Sequence, residues 1–138
     1  MKLQQNSLLA LYSLVEFASD PMRHISAAEI AHKYLVSPHH LAKVLSELAR
    51  AGIVDSVRGV GGGYRFAANP RRLTLLDVIR LFEDLGAAAP AAAQGATPVD
   101  HALGQVLAEI DQIAQATFGS ITVATMLGMV ERAARRSP

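Results

Sequence analysis

The chain of 138 residues has no cysteine and no tryptophan, and aromatic residues make up only 5% of it. Without cysteine it can form no disulfide, thiolate nucleophile, cysteine-bound zinc site or cysteine-held iron–sulfur cluster. Long hydrophobic runs are missing too, because no apolar segment reaches the roughly 18 to 20 residues of a membrane span. The N-terminal segment MKLQQNSLLALYSLVEF carries Gln, Asn and Glu where a signal peptide would be apolar. We therefore predict a cytoplasmic protein with no membrane partner.

The hydrophobic fraction of 51% is sufficient for one globular domain with its own core, with an oligomerisation element appended. The net charge of +1 conceals an asymmetry along the chain. Residues 1–82 contain 10 Lys and Arg against 6 Asp and Glu (+4), and residues 83–138 contain 3 against 6 (−3), which sum to +1. Clustered positive charge favours a polyanionic partner, and an ordinary solvated surface is the alternative.

Two helices are predicted at the start of the chain. The first spans residues 4–19 and ends before Pro21, because proline cannot continue a helix. Its core face is predicted to consist of Leu8, Leu11, Tyr12 and Val15, with Leu9 and Phe17 beside them. Ser26 and Glu29 have the spacing of a capping box, which predicts the start of the second helix.

A third helix is predicted to start at Ser37 and Pro38, an N-cap residue followed by the residue best tolerated at the first helical position. Its buried face repeats at helical spacing and consists of Leu41, Val44, Leu45 and Leu48. Two short helices joined by a tight turn are typical of a helix-turn-helix, whose second helix enters the major groove of DNA. A helical hairpin with a polar outer face is the alternative.

Three polar residues remain on the outer surface near the start of the third helix: His39, His40 and Lys43. This is the end of the helix that reaches base edges in the helix-turn-helix motif. The two histidines also raise the question of a metal site. Adjacent residues on a helix point about 100° apart, so the pair does not form the i, i+4 clamp of a zinc site. We therefore predict no metal here.

Residues 56–66 read SVRGVGGGYRF and contain four glycines, Gly59, Gly61, Gly62 and Gly63. A dinucleotide-binding fingerprint needs a third glycine where Tyr64 stands and a helix after it, and a P-loop needs Gly-Lys followed by Ser or Thr. A hairpin fits better, because residues 53–58 and 64–67 are extended segments and glycine supplies the positive backbone torsions of a sharp turn. A hairpin after a recognition helix is the layout of a winged helix-turn-helix, and Arg58 and Arg65 give it the charge to contact phosphates or the minor groove.

The segment LAKVLSELARAGIVDSVRGVGGGYRFAANPRRLTLLDVIRLFE, from Leu41 to Glu83, resembles the core signature of the bacterial winged-helix regulators typified by IscR, NsrR and CymR. With the opening helix and the C-terminal ITVATML, the resemblance covers nearly the whole chain, and AGIVDSVRGVGGGYR is its most specific element. It implies a mainly α-helical fold with a small β-hairpin wing, a homodimer, and double-stranded DNA as the partner. The DNA-binding positions it implies are Ser37, Pro38, His39, His40, Lys43, Arg58, Gly59, Gly62, Gly63, Tyr64 and Arg65.

The C-terminal region is predicted to be helical. Thr74 and Asp77 have capping-box spacing and start a short helix with Leu75, Val78, Ile79 and Phe82 facing inward. After an Ala-, Gly- and Pro-rich stretch, apolar residues repeat at coiled-coil-like spacing: Leu103, Val106, Leu107, Ile110 and Ile113. We predict that they form a dimer seam, and packing on their own domain is the alternative. A last helix is predicted from about Thr122 to Arg135.

The chain departs from the resemblance in the loop at residues 86–98. Many relatives of the IscR and NsrR type hold an iron–sulfur cluster on three cysteines there, whereas this loop has alanines and prolines. Either the chain is a cluster-free variant, like the CymR-type members, or cysteines have been replaced, and the sequence leaves both open. His101 is the one possible remnant of a ligand position, and a structural or solvated histidine is the commoner case. We predict no cofactor, with a small molecule or a partner protein as the signal.

These observations predict three regions: a winged helix-turn-helix DNA-binding domain at 1–85, a flexible loop at 86–98, and a dimerisation helix with a C-terminal helix at 99–138. The predicted function is that of a homodimeric transcriptional regulator, a repressor, that binds a palindromic operator. The alternative is a winged-helix interaction module that docks a partner protein. No catalytic residues are predicted, because no carboxylate pair, nucleophile with a base, or metal constellation stands out.

Overall fold

The structure is a computed structural model that describes residues 2–59, 61–85 and 97–136. Most of the loop predicted at 86–98 therefore lies outside the described residues. Along the described chain the elements are α1 Gln5–Ser19, α2 Ala27–Tyr34, α3 Pro38–Arg50, β1 Val54–Val57, β2 Gly63–Phe66, α4 Leu75–Ile79, α5 Pro98–Ser120 and α6 Val123–Arg136. The strands β1 and β2 pair antiparallel. The predicted fold class, mainly helical with a small β-hairpin, is confirmed.

Helix α1 lies at the centre of the core but buries a different face from the predicted one. Its buried residues are Ser7, Leu9, Ala10, Ser13, Leu14, Phe17 and Ala18. Tyr12 is 41% exposed, and the other predicted core residues of this helix, Leu8, Leu11 and Val15, are only partly buried. The prediction of the core face was wrong because α1 is apolar on almost every side. Two small serines turn inward instead, and Ser13 donates its hydroxyl proton to the carbonyl of Leu9 at 2.7 Å.

The predicted helix-turn-helix is present as α2 and α3. Ser26 caps α2 by accepting the backbone N–H of Glu29 at 3.1 Å, as predicted, but the predicted capping box is not completed, because the Glu29 carboxylate accepts from Arg23 instead. Helix α2 ends at Tyr34, and the C-cap residue Leu35 has left-handed φ and ψ of 56° and 48°. Helix α3 starts at Pro38, and its predicted core residues are all buried: Leu41, Val44, Leu45 and Leu48.

A polar cluster fastens α2 to α1. The carboxylate of Glu16 accepts from Lys33 Nζ at 2.6 Å and from the hydroxyl of Tyr34 at 2.5 Å. Burial would raise the pKa of the Glu16 carboxyl, but these two hydrogen bonds hold it below its ordinary value. Burial raises the pKa of Tyr34, and the hydrogen bond to Glu16 raises it further. The ring of Tyr34 also stacks on Tyr12, with centroids 5.0 Å apart.

The C-terminal helices join the same core as the N-terminal ones. Backbone hydrogen bonds connect the α5–α6 junction to the chain around the start of α4: Leu75 donates to Ile121 at 2.9 Å, and Val123 donates to Leu73 at 2.8 Å. Val123 is 0% exposed and belongs to the main hydrophobic cluster. Helix α6 therefore packs on α1 as part of the domain rather than as a separate unit.

Helix α5 begins at Pro98, within the predicted loop and one residue before the predicted dimerisation region. Thr97 and Asp100 form a reciprocal capping box, and the hydrogen bonds from Thr97 hold the pKa of the Asp100 carboxyl below its ordinary value. Helix α6 runs from Val123 to Arg136, one residue later than predicted at each end. No helix in the described ranges is both long and apolar enough to cross a bilayer.

Candidate nucleic-acid interface

Helix α3 presents a polar surface opposite its buried face. The residues His39, Lys43, Ser46 and Arg50 are exposed and recur at intervals of three or four, which places them on one side of the helix. Ser37 and Pro38 are exposed at its N-terminal end, where the Ser37 hydroxyl accepts the backbone N–H of His40 at 3.3 Å. This side of α3 offers side chains with donors for base edges and cations for phosphates.

The two adjacent histidines have different surroundings. His39 lies on the exposed side of α3, away from its buried residues. His40 turns toward α1, where its Nε2 lies 2.6 Å from Oδ1 of Asn6. Asn6 and His40 line a cleft of about 340 Å³ between α1, α3 and the end of α4, together with Lys43, Val44, Ser46, Glu47, Arg50 and Phe82. His40 is therefore exposed at the surface and also hydrogen-bonded to α1.

The wing is attached to the domain by its second strand. In the register of the hairpin, Ser56 pairs with Tyr64 and Val57 pairs with Gly63. Tyr64 also exchanges two backbone hydrogen bonds with Ile25, at 2.8 and 2.9 Å, and its ring meets Phe17 edge-on with centroids 6.4 Å apart. Tyr64, one of the predicted DNA-binding residues, is therefore also a structural residue that joins the wing to the core.

Two kinds of requirement explain the glycines of the wing. Gly59 and Gly61 have φ of 106° and 76°, which residues with a side chain rarely adopt. Gly62 and Gly63 lack room for a side chain: a Cβ on Gly62 would lie 2.4 Å from the carbonyl oxygen of Val57, and one on Gly63 would lie 2.6 Å from that of Ile25. The predicted hairpin turn is present, and its backbone approaches both its own strand and the strand-like segment at Ile25.

The two arginines of the wing differ in their charge environment. Arg65 stands directly opposite Asp55 in the hairpin, with their charged atoms 4.0 Å apart. Arg58 follows β1 at the start of the turn, is exposed, and has no ion-pair partner among the described residues. Arg58 is therefore better placed than Arg65 to give its full charge to a nucleic acid.

Four residues around this surface were not predicted from the sequence. Ser46 and Arg50 share the exposed side of α3 with His39, so the helical spacing contained a signal for them. Arg50 is paired with Glu47 at 2.7 Å. Asn6 and Glu83 gave no such signal, because Asn6 reaches His40, and Glu83 reaches Ser7, only through tertiary packing. Glu83 accepts the backbone N–H of Gln4 at 2.8 Å and the hydroxyl proton of the fully buried Ser7.

Helix α5 carries a second exposed surface. None of its 23 residues is buried. The predicted dimer-seam residues are all about half exposed or more: Leu103 56%, Val106 51%, Leu107 50%, Ile110 48% and Ile113 66%. Val99, 71% exposed, extends the apolar stripe toward the start of the helix. Among the described residues, the rest of the domain does not bury this stripe.

No set of three His, Cys, Asp or Glu side chains is arranged to hold a metal ion within residues 2–59, 61–85 and 97–136. His101 lies in the first turn of α5 and is exposed. The surfaces that stand out are therefore the polar side of α3 with the wing, and the apolar side of α5.

Residues 3–128 match the Rrf2 family, which is described as an iron-dependent transcriptional regulator. Over 137 residues the chain is 46% identical to BadM of Rhodopseudomonas palustris, whose name gives it as an HTH-type transcriptional regulator, and the match covers 99% of this chain and 88% of BadM.

Two solved structures share the arrangement of elements. CymR (YrzC), the global cysteine regulator of B. subtilis, superposes with a TM-score of 0.76 at 25% identity, covering 94% of this chain and 98% of CymR. IscR of T. potens superposes with a TM-score of 0.72 at 27% identity, covering 96% of this chain and 90% of IscR. The family match includes the residues of the wing as well as those of the helices up to residue 128.

Proposed function

Because the chain belongs to the Rrf2 family of DNA-binding transcriptional regulators, we propose that it acts as a homodimeric repressor that binds a palindromic operator. The family and these neighbours are regulators and not enzymes, which confirms the prediction that the chain has no catalytic function. The observation that carries the proposal is that two surfaces suited to DNA are exposed, the polar side of α3 and the glycine-rich wing that starts at Arg58, and that α3 packs on strand β1 of the wing.

DNA reading is proposed to divide between these surfaces. Ser37, Pro38, His39 and Lys43 lie at the end of α3 that enters the major groove in helix-turn-helix proteins. The exposed guanidinium of Arg58 and the side-chain-free tip at Gly59 suit a phosphate or the minor groove, because the backbone can approach closely there. The net positive balance of residues 1–82 supports the same assignment through its attraction for phosphates.

The homodimer is supported by the exposed apolar stripe of α5. The stripe runs from Val99 to Ile113, about 21 Å along the helix, and an apolar stripe with no buried residue is most simply covered by a second copy of the same helix. A two-fold dimer presents two α3 helices related by the same axis, which favours an operator with two inverted half-sites. Repression then needs only tight occupation of DNA that overlaps a promoter.

The signal is proposed to act without a cysteine-held cluster. The family description names iron, but the chain has no cysteine at any of its 138 residues, so the thiolate ligands such a cluster requires are missing. A small molecule or a partner protein that shifts the angle between the two DNA-reading ends would serve instead.

The decisive experiment selects duplexes from a random pool with the purified protein and then measures affinity for the winning site by fluorescence anisotropy at two salt concentrations. We expect an imperfect inverted repeat, bound as a dimer, with affinity that falls steeply as salt rises. Transcription in vitro from a promoter containing the site should fall when the protein is added. Equal affinity for every duplex would contradict the proposal, and increased transcription would contradict the repressor assignment.

A further inference from the structure

The first turn of α1 is fastened to the residues that follow α4. One carboxylate oxygen of Glu83 accepts from the backbone N–H of Gln4 at 2.8 Å and from the hydroxyl of Ser7. Ser7 is 0% exposed, so this hydrogen bond lies at the edge of the core. A carboxylate at the N-terminal end of a helix is favoured by the unpaired N–H groups and the helix dipole there. Glu83 therefore fixes where α1 begins.

The same turn of α1 holds the DNA-reading end of α3. Asn6 lies between the two residues bound by Glu83, and its Oδ1 is 2.6 Å from Nε2 of His40. Because an amide oxygen only accepts, His40 must donate from Nε2. The backbone N–H of His40 is donated to the N-cap Ser37, so side chain and backbone together tie this residue to α1 and to the start of α3.

From these contacts we propose that Glu83, Asn6 and His40 are positioning residues that orient the N-terminal end of α3 for DNA, and that His40 is not itself a base-reading residue. The inference rests on the proposed DNA-binding function and refines its site. Sequence selectivity would then depend on the exposed neighbours His39 and Lys43, with His40 acting through the placement of the helix. Replacement of Glu83, Asn6 or His40 should reduce selective binding more than nonselective binding, because phosphate contacts tolerate small shifts that base contacts do not.

The competing reading is that Asn6 and His40 contact a phosphate directly. The charge of the side chain at position 6 separates the two readings. In Asn6→Asp a carboxylate oxygen still accepts from His40 Nε2, so a positioning role should be restored. If Asn6 faces a phosphate, the added negative charge should repel it, and Asn6→Asp should bind more weakly than Asn6→Ala.

The test measures affinity for two duplexes of the same length at the same salt concentration. One is selected from a random pool by the unaltered protein, and the other has an unrelated sequence. Removal of one hydrogen bond in Asn6→Ala or His40→Ala should lower selective affinity by about threefold to tenfold and leave the unrelated duplex nearly unchanged. Asn6→Asp should recover most of the loss. Gln5→Ala, an exposed neighbour in the same turn, is the matched control and should bind like the unaltered protein.

Glu83 is tested with a shape-conserving pair. Glu83→Gln keeps an oxygen acceptor and should retain most of the selectivity, whereas Glu83→Ala should lower it by a similar factor, and Asp84→Ala is the exposed control. A spectroscopic readout accompanies these measurements: the Nε2–H proton of His40 should be protected from solvent exchange in nuclear magnetic resonance spectra, and the protection should disappear in Asn6→Ala.

Two outcomes would overturn the inference while leaving the proposed function intact: unchanged selectivity in Asn6→Ala and His40→Ala, or weaker binding by Asn6→Asp than by Asn6→Ala. A uniform loss on both duplexes would also overturn it, because that is the signature of a phosphate contact. If the unaltered protein itself selects no sequence, the proposed function fails first.

Discussion

Leu35 connects the two helices of the helix-turn-helix in a conformation that suits glycine better than leucine. Its φ and ψ are 56° and 48°, and its side chain is 89% exposed, so it gains little burial in return for the strain. Leu35→Gly should raise the free energy of unfolding by about 0.5–1 kcal/mol, the strain released less the added freedom of the unfolded chain. Urea unfolding measures this, and Leu35→Ala, which keeps the Cβ, should give no gain. A loss of stability in Leu35→Gly would show that the leucine side chain makes a stabilising contact.

Arg58 offers a test of the wing that does not involve folding. Its side chain is exposed and has no ion-pair partner among the described residues. Arg58→Ala should weaken operator binding by about 1–3 kcal/mol and reduce its salt dependence, with an unchanged melting temperature. Arg80→Ala, an exposed arginine at the end of α4, is the control and should have a smaller effect. A collapse of thermal stability in Arg58→Ala would instead make Arg58 structural.

Single-residue roles could be predicted from the sequence where the interacting residues lie close together along the chain. The caps at Ser26, Ser37 and Thr74 were predictable because cap and partner lie three residues apart. His39 and His40 are neighbours with the same chemistry, and only Asn6, which is 34 residues away from His40, separates their environments. No pattern in the local sequence contains that distinction.

The hairpin has no room for a side chain at Gly62 or Gly63. A Cβ at position 63 would lie 2.6 Å from the carbonyl oxygen of Ile25, and this approach is what allows Tyr64 to pair with Ile25. Gly63→Val should therefore detach or tilt the wing, lowering both the melting temperature and operator affinity. Gly128→Val in α6, where a Cβ would meet only the flexible end of Arg132 at 3.6 Å, is the matched control for adding a side chain to glycine. Unchanged DNA affinity in Gly63→Val would remove the wing from the interface.

The element boundaries were predicted within a few residues, whereas the orientation of α1 was not. In α3 a polar side and an apolar side alternate clearly, so the buried face could be read from the spacing. In α1 the apolar residues surround the helix, so the buried face is decided by the helices that pack against it, which are α3, α4 and α6. The buried serines Ser7 and Ser13 carried no apolar signal at all.

Substitutions on α5 test the proposed homodimer. Leu107 and Ile110 are exposed near the middle of the apolar stripe, and Leu107→Glu or Ile110→Glu would place a charge in the proposed seam. Each should shift the protein toward a monomer in sedimentation experiments and lower operator affinity by at least tenfold, because one half-site alone binds weakly. Gln112→Glu, on the opposite side of α5, is the control. A dimer that survives both substitutions would place the seam elsewhere.

The cofactor proposal makes a prediction for the molecule as a whole. Protein purified without oxygen should be colourless and should select its operator in the metal-free form, since the chain supplies no thiolate to a cluster. Absorbance in the visible range together with stoichiometric iron would contradict this. Operator binding that appears only after addition of a metabolite would identify the signal.

At the scale of the molecule, the sequence indicated a DNA-binding region followed by a dimerisation region, and the boundary between them followed composition and charge. The hydrophobic core includes residues from both sides of that boundary, because Val123 is buried among residues of the first region. Pairing between the segments at 73–75 and 121–123 depends on backbone hydrogen bonds, which leave little trace in side-chain chemistry.

That pairing has a consequence for the energetics of regulation. Since Val123 fills the core beside α1, a fragment ending at residue 85 would carry a void and unpaired backbone groups at Leu73 and Leu75, so we expect the two regions to melt in a single cooperative transition. Folding, self-association and operator occupancy would then be linked equilibria. An effector that binds α5 more tightly in one of these states than in the others would shift all three equilibria, and protection of the Val123 amide from hydrogen exchange would report the change in folding stability.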